Sequence, residues 1–204
     1  MDQLIEFFKT IMTPEKVINW GGLTALIAIV FAETGLLIGF FLPGDSLLLT
    51  AGLLVSQDIF KVNILTLNIS LILAAIIGDT VGYWFGRKTG PKIFAKEDSR
   101  FFKKKYLLKA QEFYERHGGK AIIYARFVPF ARTFAPILAG VGNMNYTKFV
   151  TYNIVGGIVW VVSMTLLGYF FGKIPIANDD FENVAVLVIT LSVMRIAIGN
   201  FEER

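Results

Sequence analysis

The stretch FAETGLLIGFFLPGDS, residues 31–46, is apolar except for a few polar side chains, of which Glu33 and Asp45 are acidic. It connects the apolar segment 17–42 to a second segment, 46–56, which is too short to cross a bilayer because a spanning helix needs about 20 residues. Two arrangements are open: either 17–42 spans and 46–56 is a half-helix, or the two segments form a re-entrant hairpin. The Pro43-Gly44 break favours the hairpin, since broken helices at membrane depth commonly mark binding sites.

The composition of the whole chain agrees with a membrane protein. Of its 204 residues, 54% are hydrophobic and 18% are charged, and the net charge is +4. A soluble domain would carry about 25% charged residues, so the composition disfavours a soluble enzyme and a nucleic-acid-binding module. With no Cys and one His, the chain lacks the residues for thiolate chemistry or a typical metal centre. We therefore expect no cofactor, no metal, no nucleic-acid partner and no enzymatic activity.

A second broken apolar segment covers residues 121–142. It contains Arg126, Pro129, Arg132 and Pro136, which fit a continuous lipid-facing helix poorly, and it is the second candidate hairpin. Each hairpin is followed by a long apolar segment, 64–86 and 149–172, that predicts a membrane-spanning helix.

The two halves resemble each other. Residues 82–87 read GYWFGR and residues 168–173 read GYFFGK, while Ala-Gly at 51–52 corresponds to Ala-Gly at 139–140. Each unit crosses the membrane once overall, so two copies must have opposite orientations. The predicted fold class is an all-α integral membrane protein built from two inverted repeats, each a re-entrant helical hairpin plus a transmembrane helix, with a cytoplasmic amphipathic helix and a C-terminal helix.

The chain is predicted to be a single membrane domain, residues 1–204, with five parts. The segment between the repeats is rich in Lys and Arg, which places it in the cytoplasm. The parts are an N-terminal interfacial segment (1–16), repeat 1 (17–87), a cytoplasmic amphipathic linker (88–119), repeat 2 (120–173), and a C-terminal helix and tail (174–204).

Five charged residues lie in apolar surroundings: Glu33, Asp45, Asp79, Arg126 and Arg132. One charge at a helix centre costs about 3 kcal/mol, so these groups must pair, become neutral or face water. One interpretation is a structural ion-pair network that holds the hairpins together. The other is a transport site, in which the acids carry protons because burial disfavours the charged form of a carboxyl group, and the arginines bind phosphate through two parallel hydrogen bonds. Asp79 is a secondary candidate, either for the site or for a helix interface.

Three sequence blocks resemble the DedA family of bacterial membrane proteins, whose domain is also called SNARE-associated or VTT. The blocks are FAETG with FLPGDSLL (31–35 and 41–48), GDTVGYWFGR (78–87) and RFVPFARTFAP (126–136). The resemblance implies two facing re-entrant hairpins in a multi-pass protein of the bacterial cytoplasmic membrane. It also implies that Glu33 and Asp45 couple transport to protons, and that Arg126 and Arg132 bind the phosphate of the substrate.

The function that the resemblance implies is a flippase that recycles undecaprenyl phosphate, driven by the proton motive force. The expected partners are a lipid-phosphate substrate, membrane lipids and protons, and homo-oligomerisation is left open. Three alternatives remain: a general phospholipid scramblase, a proton-coupled antiporter of small cations or drugs, and a non-transporting assembly factor.

Overall fold

A computed structural model describes residues 14–36, 42–94, 116 and 118–173 of the chain. This part of the chain is helical and contains no strand. Its helices are α1 (Pro14–Gly35), α2 (Gly44–Ser56), α3 (Ile64–Phe94), α4 (Lys120–Ala125), α5 (Pro129–Val141) and α6 (Tyr146–Phe171). The predicted C-terminal helix, and most of the predicted amphipathic linker, lie outside the described residues.

Three of these helices are long and apolar enough to cross a membrane. The candidate spans are Lys16–Gly35 in α1, Ile64–Gly90 in α3 and Tyr146–Phe171 in α6. The α2 and α5 helices have 13 residues each, so they are about 20 Å long against a hydrocarbon core of about 30 Å. The described residues thus form an all-helical fold with three helices that could span a membrane and three, α2, α4 and α5, that are too short to do so.

The α3 helix is longer than the sequence predicts. It continues to Phe94, whereas the apolar segment ends at residue 86. Beyond that point Gly90 still packs against Val141 of α5, with 3.1 Å between the position of a Cβ on Gly90 and the Val141 Cα. Packing against α5 therefore carries the helix into the basic region that the sequence assigns to the linker.

The outer surface of α3 carries an apolar stripe from Leu65 to Phe85, which ends before the exposed Arg87 and Lys88. Its large exposed hydrophobic residues repeat every fourth position, which keeps them on one face of the helix. They include Leu65, Ile69, Leu73, Ile77, Val81 and Phe85. A continuous apolar stripe of this kind is rare on soluble monomers and is what a helix facing lipid requires.

The two 13-residue helices, α2 and α5, pack crosswise, which here means that each lies against a long helix from the other half of the sequence. The α2 helix lies against α6, and α5 lies against α3, so each short helix contacts the long helix of the other half of the sequence. Gly52 of α2 faces the backbone carbonyl of Thr165, and Gly140 of α5 faces that of Tyr83. A Cβ at either glycine would overlap that oxygen, so close backbone contact explains why glycine is present.

These crosswise contacts are matched in pairs. Gly168 of α6 faces the carbonyl of Leu49, and Gly86 of α3 faces that of Ile137. Leu49 and Ile137 are 88 positions apart, and so are Gly52 and Gly140. This is the offset between the two Ala-Gly pairs of the predicted repeat. The motifs GYWFGR and GYFFGK are 86 positions apart, whereas Gly86 and Gly168 are 82 positions apart, which is four fewer. The two interfaces therefore use the same kind of contact, displaced by about one helical turn along the long helix.

Two glycines one turn apart on α3 give a direct test of this packing. A Cβ at Gly86 would overlap the carbonyl of Ile137, whereas a Cβ at Gly82 would lie 3.5 Å from the nearest atom of the Ile137 side chain. We expect Gly86→Ala to lower stability by about 1–3 kcal/mol through overpacking. We expect Gly82→Ala to be neutral or slightly stabilising, because alanine favours helix. Thermal unfolding in detergent compares the two, and equal unfolding temperatures would contradict the packing.

Candidate functional site

Arg132 bridges two acidic side chains that come from different helices. Its Nη1 donates to Oδ1 of Asp45 over 2.6 Å, and its Nη2 donates to Oε1 of Glu33. Arg132 lies in the first turn of α5, which starts at Pro129, a residue that is well suited to the first position of a helix. Asp45 lies in the first turn of α2, and Glu33 lies near the end of α1. The guanidinium thus joins the start of α5 to the facing ends of α1 and α2.

Glu33 is completely buried beside the start of α2. The backbone N–H of Gly44 donates to its Oε1 over 3.2 Å, and the hydroxyl of Thr133 donates to its backbone carbonyl over 3.3 Å. A Cβ on Gly44 would overlap the Glu33 carboxylate, so this site needs glycine at position 44. Within the described part of the chain, Oε2 of Glu33 is buried without a hydrogen-bond partner.

Arg126 forms a second cluster between α3 and α6. Its Nη2 donates to Oδ2 of Asp79 and to Oδ1 of Asn153. The Asn153 amide donates in turn to the backbone carbonyl of Ile76 on α3 over 3.1 Å. A Cβ on Gly156 would lie 2.9 Å from Cδ of Arg126, so the glycine makes room for the arginine side chain.

Trp160 of α6 contacts both clusters. Its indole N–H donates to Oδ1 of Asp45 over 2.8 Å. Its ring centroid lies 5.1 Å from Cζ of Arg132 and 6.0 Å from Cζ of Arg126, within the range of cation–π attraction. The two arginines therefore share one aromatic neighbour.

The five charged residues do not balance. Three carboxyl groups face two guanidinium groups, so a fully ionised site would carry one excess negative charge. Four of the side chains are at most 7% exposed, whereas that of Asp45 is 30% exposed. Asp45 is therefore the member of the site that is most open to a ligand or to water.

The structure brings together all five charged residues that the sequence singles out. Glu33 and Asp45 meet Arg132, and this contact agrees with the interpretation in which ion pairs join the two halves of the chain. Asp79, for which two interpretations were open, pairs with Arg126 and links α3 to the residue that follows α4.

Sequence reasoning missed Asn153 and Trp160. Both lie in the apolar segment 149–172, which is noted in the sequence only for its lack of charge. The available signal is their spacing: the two residues are seven positions apart, so they share one face of α6. An amide inside an otherwise apolar span is costly unless it has a partner, and here that partner is Arg126.

Comparison with known proteins finds a matching domain family and several similar proteins. The VTT domain matches residues 42–170. The chain is 47% identical over 169 residues to Protein DedA of Escherichia coli (strain K12), which covers 83% of this chain and 77% of that protein. No solved structure matches.

Two further relatives are named as inner membrane proteins. YghB of Salmonella typhimurium is 34% identical over 174 residues, covering 85% of this chain and 78% of the relative. YqjA of Escherichia coli (strain K12) is 32% identical over 176 residues, with coverage of 85% and 78%. Because the domain match covers more than half of the chain and the similarity to these relatives extends over most of it, the protein belongs to the DedA family of membrane proteins.

Proposed function

We propose that the protein carries a lipid phosphate across the bacterial cytoplasmic membrane, with undecaprenyl phosphate as the first candidate, and that proton movement drives the transport. The observation that carries the proposal is the fork of Arg132 on two carboxylates. A phosphate monoester also offers oxygen atoms to both terminal nitrogens of an arginine, so it can compete with these carboxylates for the same donors. A lipid brings such a phosphate to membrane depth while its tail stays among the acyl chains.

The charge balance supports coupling to protons. One proton on the site cancels the excess negative charge of three carboxyl groups and two guanidinium groups. An uncompensated charge in the membrane interior costs several kcal/mol, so the site favours this proton. Arrival of a lipid phosphate adds negative charge, and uptake of a further proton by Glu33 or Asp45 would compensate it. Protonation would also weaken the ion pair between that acid and Arg132, which frees a guanidinium N–H of Arg132 to donate to the phosphate.

The helix contacts support the inverted-hairpin architecture. Gly22 is the ninth residue of α1 and kinks the helix, since its backbone angles are not helical (φ 54°, ψ -140°). A Cβ on Gly22 would point toward Phe60 just before α3, whereas Gly35 lies against Gly78 in the middle of α3. From Gly78 to the end of the candidate span at Gly90 is about 18 Å, so α1 ends well before the far end of α3. The α2 helix then returns, and its last residue, Ser56, approaches Gly172 at the end of α6. In our proposal α1 and α2 enter and leave from the outside, and α4 and α5 enter from the cytoplasm.

Labelling of single cysteines tests this orientation, since the chain has no natural cysteine. We expect a cysteine at Asp58, in the α2–α3 connection, to react from the outside, and one at Asn143, in the α5–α6 connection, to react from the cytoplasm. Cysteines at Leu42 and Val128, beside the two proline breaks, should react from opposite sides of the membrane where they react at all. If both were labelled from the same side, the inverted-hairpin arrangement would be wrong.

Reconstitution into proteoliposomes tests the function itself. Flipping of a polyprenyl phosphate should be saturable, should exceed flipping of zwitterionic phospholipid, and should accelerate when a pH gradient is imposed. Equal rates for all headgroups without a gradient would identify a scramblase. Gradient-driven uptake of small cations without lipid flipping would identify an antiporter, and absence of all three activities would favour an assembly factor.

A further inference from the structure

Trp160 has a position that burial alone does not explain. Its side chain is completely buried, a condition that leucine or phenylalanine would also satisfy. A buried indole N–H needs an acceptor, and here the acceptor is Oδ1 of Asp45, the same oxygen that accepts from Nη1 of Arg132. Trp160 thus provides Asp45 with a second donor that does not depend on the arginine.

The α6 helix makes hydrogen bonds to both arginine clusters. The amide oxygen of Asn153 accepts from Arg126, and two turns further on Trp160 donates to Asp45. The Trp160 ring also lies against both guanidinium groups. One rigid helix face therefore holds parts of both clusters in a fixed relation.

We propose that Trp160 is a positioning residue for lipid-phosphate transport: its N–H keeps Asp45 hydrogen-bonded while a phosphate takes the place of Asp45 on Arg132, and its ring holds Arg132 beside Arg126 during this exchange. The inference rests on the proposed function. Without the indole N–H, Asp45 would have no side-chain donor among the described residues while Arg132 holds the phosphate. Leaving a partly buried carboxylate without a donor is costly, so the exchange would be slower.

The charged groups around Trp160 come from every element that meets at the site. They are Glu33 of α1, Asp45 of α2, Asp79 of α3, Arg126 after α4 and Arg132 of α5. Loss of the indole N–H removes one of the two hydrogen bonds that Oδ1 of Asp45 accepts. The pH profile of transport therefore reports on this contact, whereas a residue that only fills space would leave the profile unchanged.

The first test is Trp160→Phe, which keeps an aromatic ring and removes the N–H. We expect transport at neutral pH to fall about tenfold and the pH profile of transport to differ from that of the wild type, with the unfolding temperature little changed. Trp20→Phe is the matched control, because Trp20 is 78% exposed. Wild-type rate and pH profile in Trp160→Phe would overturn the proposal.

The second test does not change Trp160, so it holds even where Trp160→Phe folds poorly. The chain has three tryptophans, and Trp20→Phe with Trp84→Phe leaves Trp160 as the only one. Titration of this variant in dodecyl maltoside with dodecyl phosphate should shift the tryptophan emission saturably, and Arg132→Lys should abolish the shift. Inorganic phosphate in a parallel titration shows whether the lipid tail is needed.

The outcomes separate the two proposals. If the wild-type protein transports a lipid phosphate but the Trp160 emission ignores dodecyl phosphate, the role of Trp160 is wrong and the function stands. If no lipid phosphate is transported, the proposed function fails. In that case a pH-dependent emission of Trp160 that disappears in Asp45→Asn would still establish the contact between the two residues, and its absence would overturn the contact as well.

Discussion

Replacing Arg132 by lysine is expected to reduce lipid-phosphate transport by about 10- to 100-fold while the protein still inserts and folds. Lysine keeps the positive charge, so neither Glu33 nor Asp45 is left without a counter-charge. Its single ammonium cannot reproduce the planar fork that reaches both acids, and it cannot offer a phosphate two parallel donors. Loss of one hydrogen bond between charged groups is worth about 1.5–3 kcal/mol, which gives the expected range.

The measurement combines flipping in proteoliposomes with thermal unfolding in detergent. Arg126→Lys should also transport poorly, because its bonds to Asp79 and Asn153 use the same planar geometry. Arg87→Lys is the matched control, since Arg87 is exposed and lies outside the site. Normal transport by both Arg126→Lys and Arg132→Lys would show that the arginines serve only as counter-charges.

Replacing Glu33 by glutamine is expected to give a folded protein that no longer responds to a proton gradient. Glutamine keeps the size of the side chain and its hydrogen bonding but cannot release or bind a proton. In the structure Arg132 would still be paired with Asp45, so the variant should be stable. The same argument applies to Asp45→Asn, in which Arg132 stays paired with Glu33.

The double variant separates the transport role from a purely structural one. Glu33→Gln with Asp45→Asn leaves Arg132 without a carboxylate partner, and stranding a buried charge costs about 3–5 kcal/mol. We therefore expect stable but inactive single variants and an unstable double variant. Asp58→Asn controls for the loss of an acid at an exposed position. Single variants that retain pH-dependent transport would remove both acids from the mechanism.

The breaks in the chain could be predicted from local sequence. Pro43-Gly44 and Pro129 interrupt apolar segments, and proline and glycine act on the backbone wherever they occur. The α2 and α5 helices start at these breaks, as the sequence indicates. The need of buried charges for partners also predicts an ion-pair network between the two halves, and Glu33 and Asp45 do contact Arg132.

The partners of each helix could not be predicted in the same way. Periodicity shows which face of a helix is apolar, but it does not show which other helix covers that face. The pairing of α2 with α6 depends on backbone contact at Gly52 and Gly168, which becomes visible only in three dimensions. Asn153 and Trp160 were missed for a related reason, because an uncharged polar group in an apolar span has no evident partner until the neighbouring helix is known.

The crosswise pairing of the helices has a consequence for how the protein is made. Arg132 follows Glu33 by 99 residues and Asp45 by 87, and Trp160 follows Asp45 by 115. At a synthesis rate of about 5–20 residues per second, the first half of the nascent chain waits roughly 5–20 s for these partners. During that interval the translocon or the membrane surface must accommodate two acidic side chains with no counter-charge. Neither half can complete its packing alone. Biogenesis therefore ends in one late assembly step, which joins helices that are synthesised early to helices that are synthesised late.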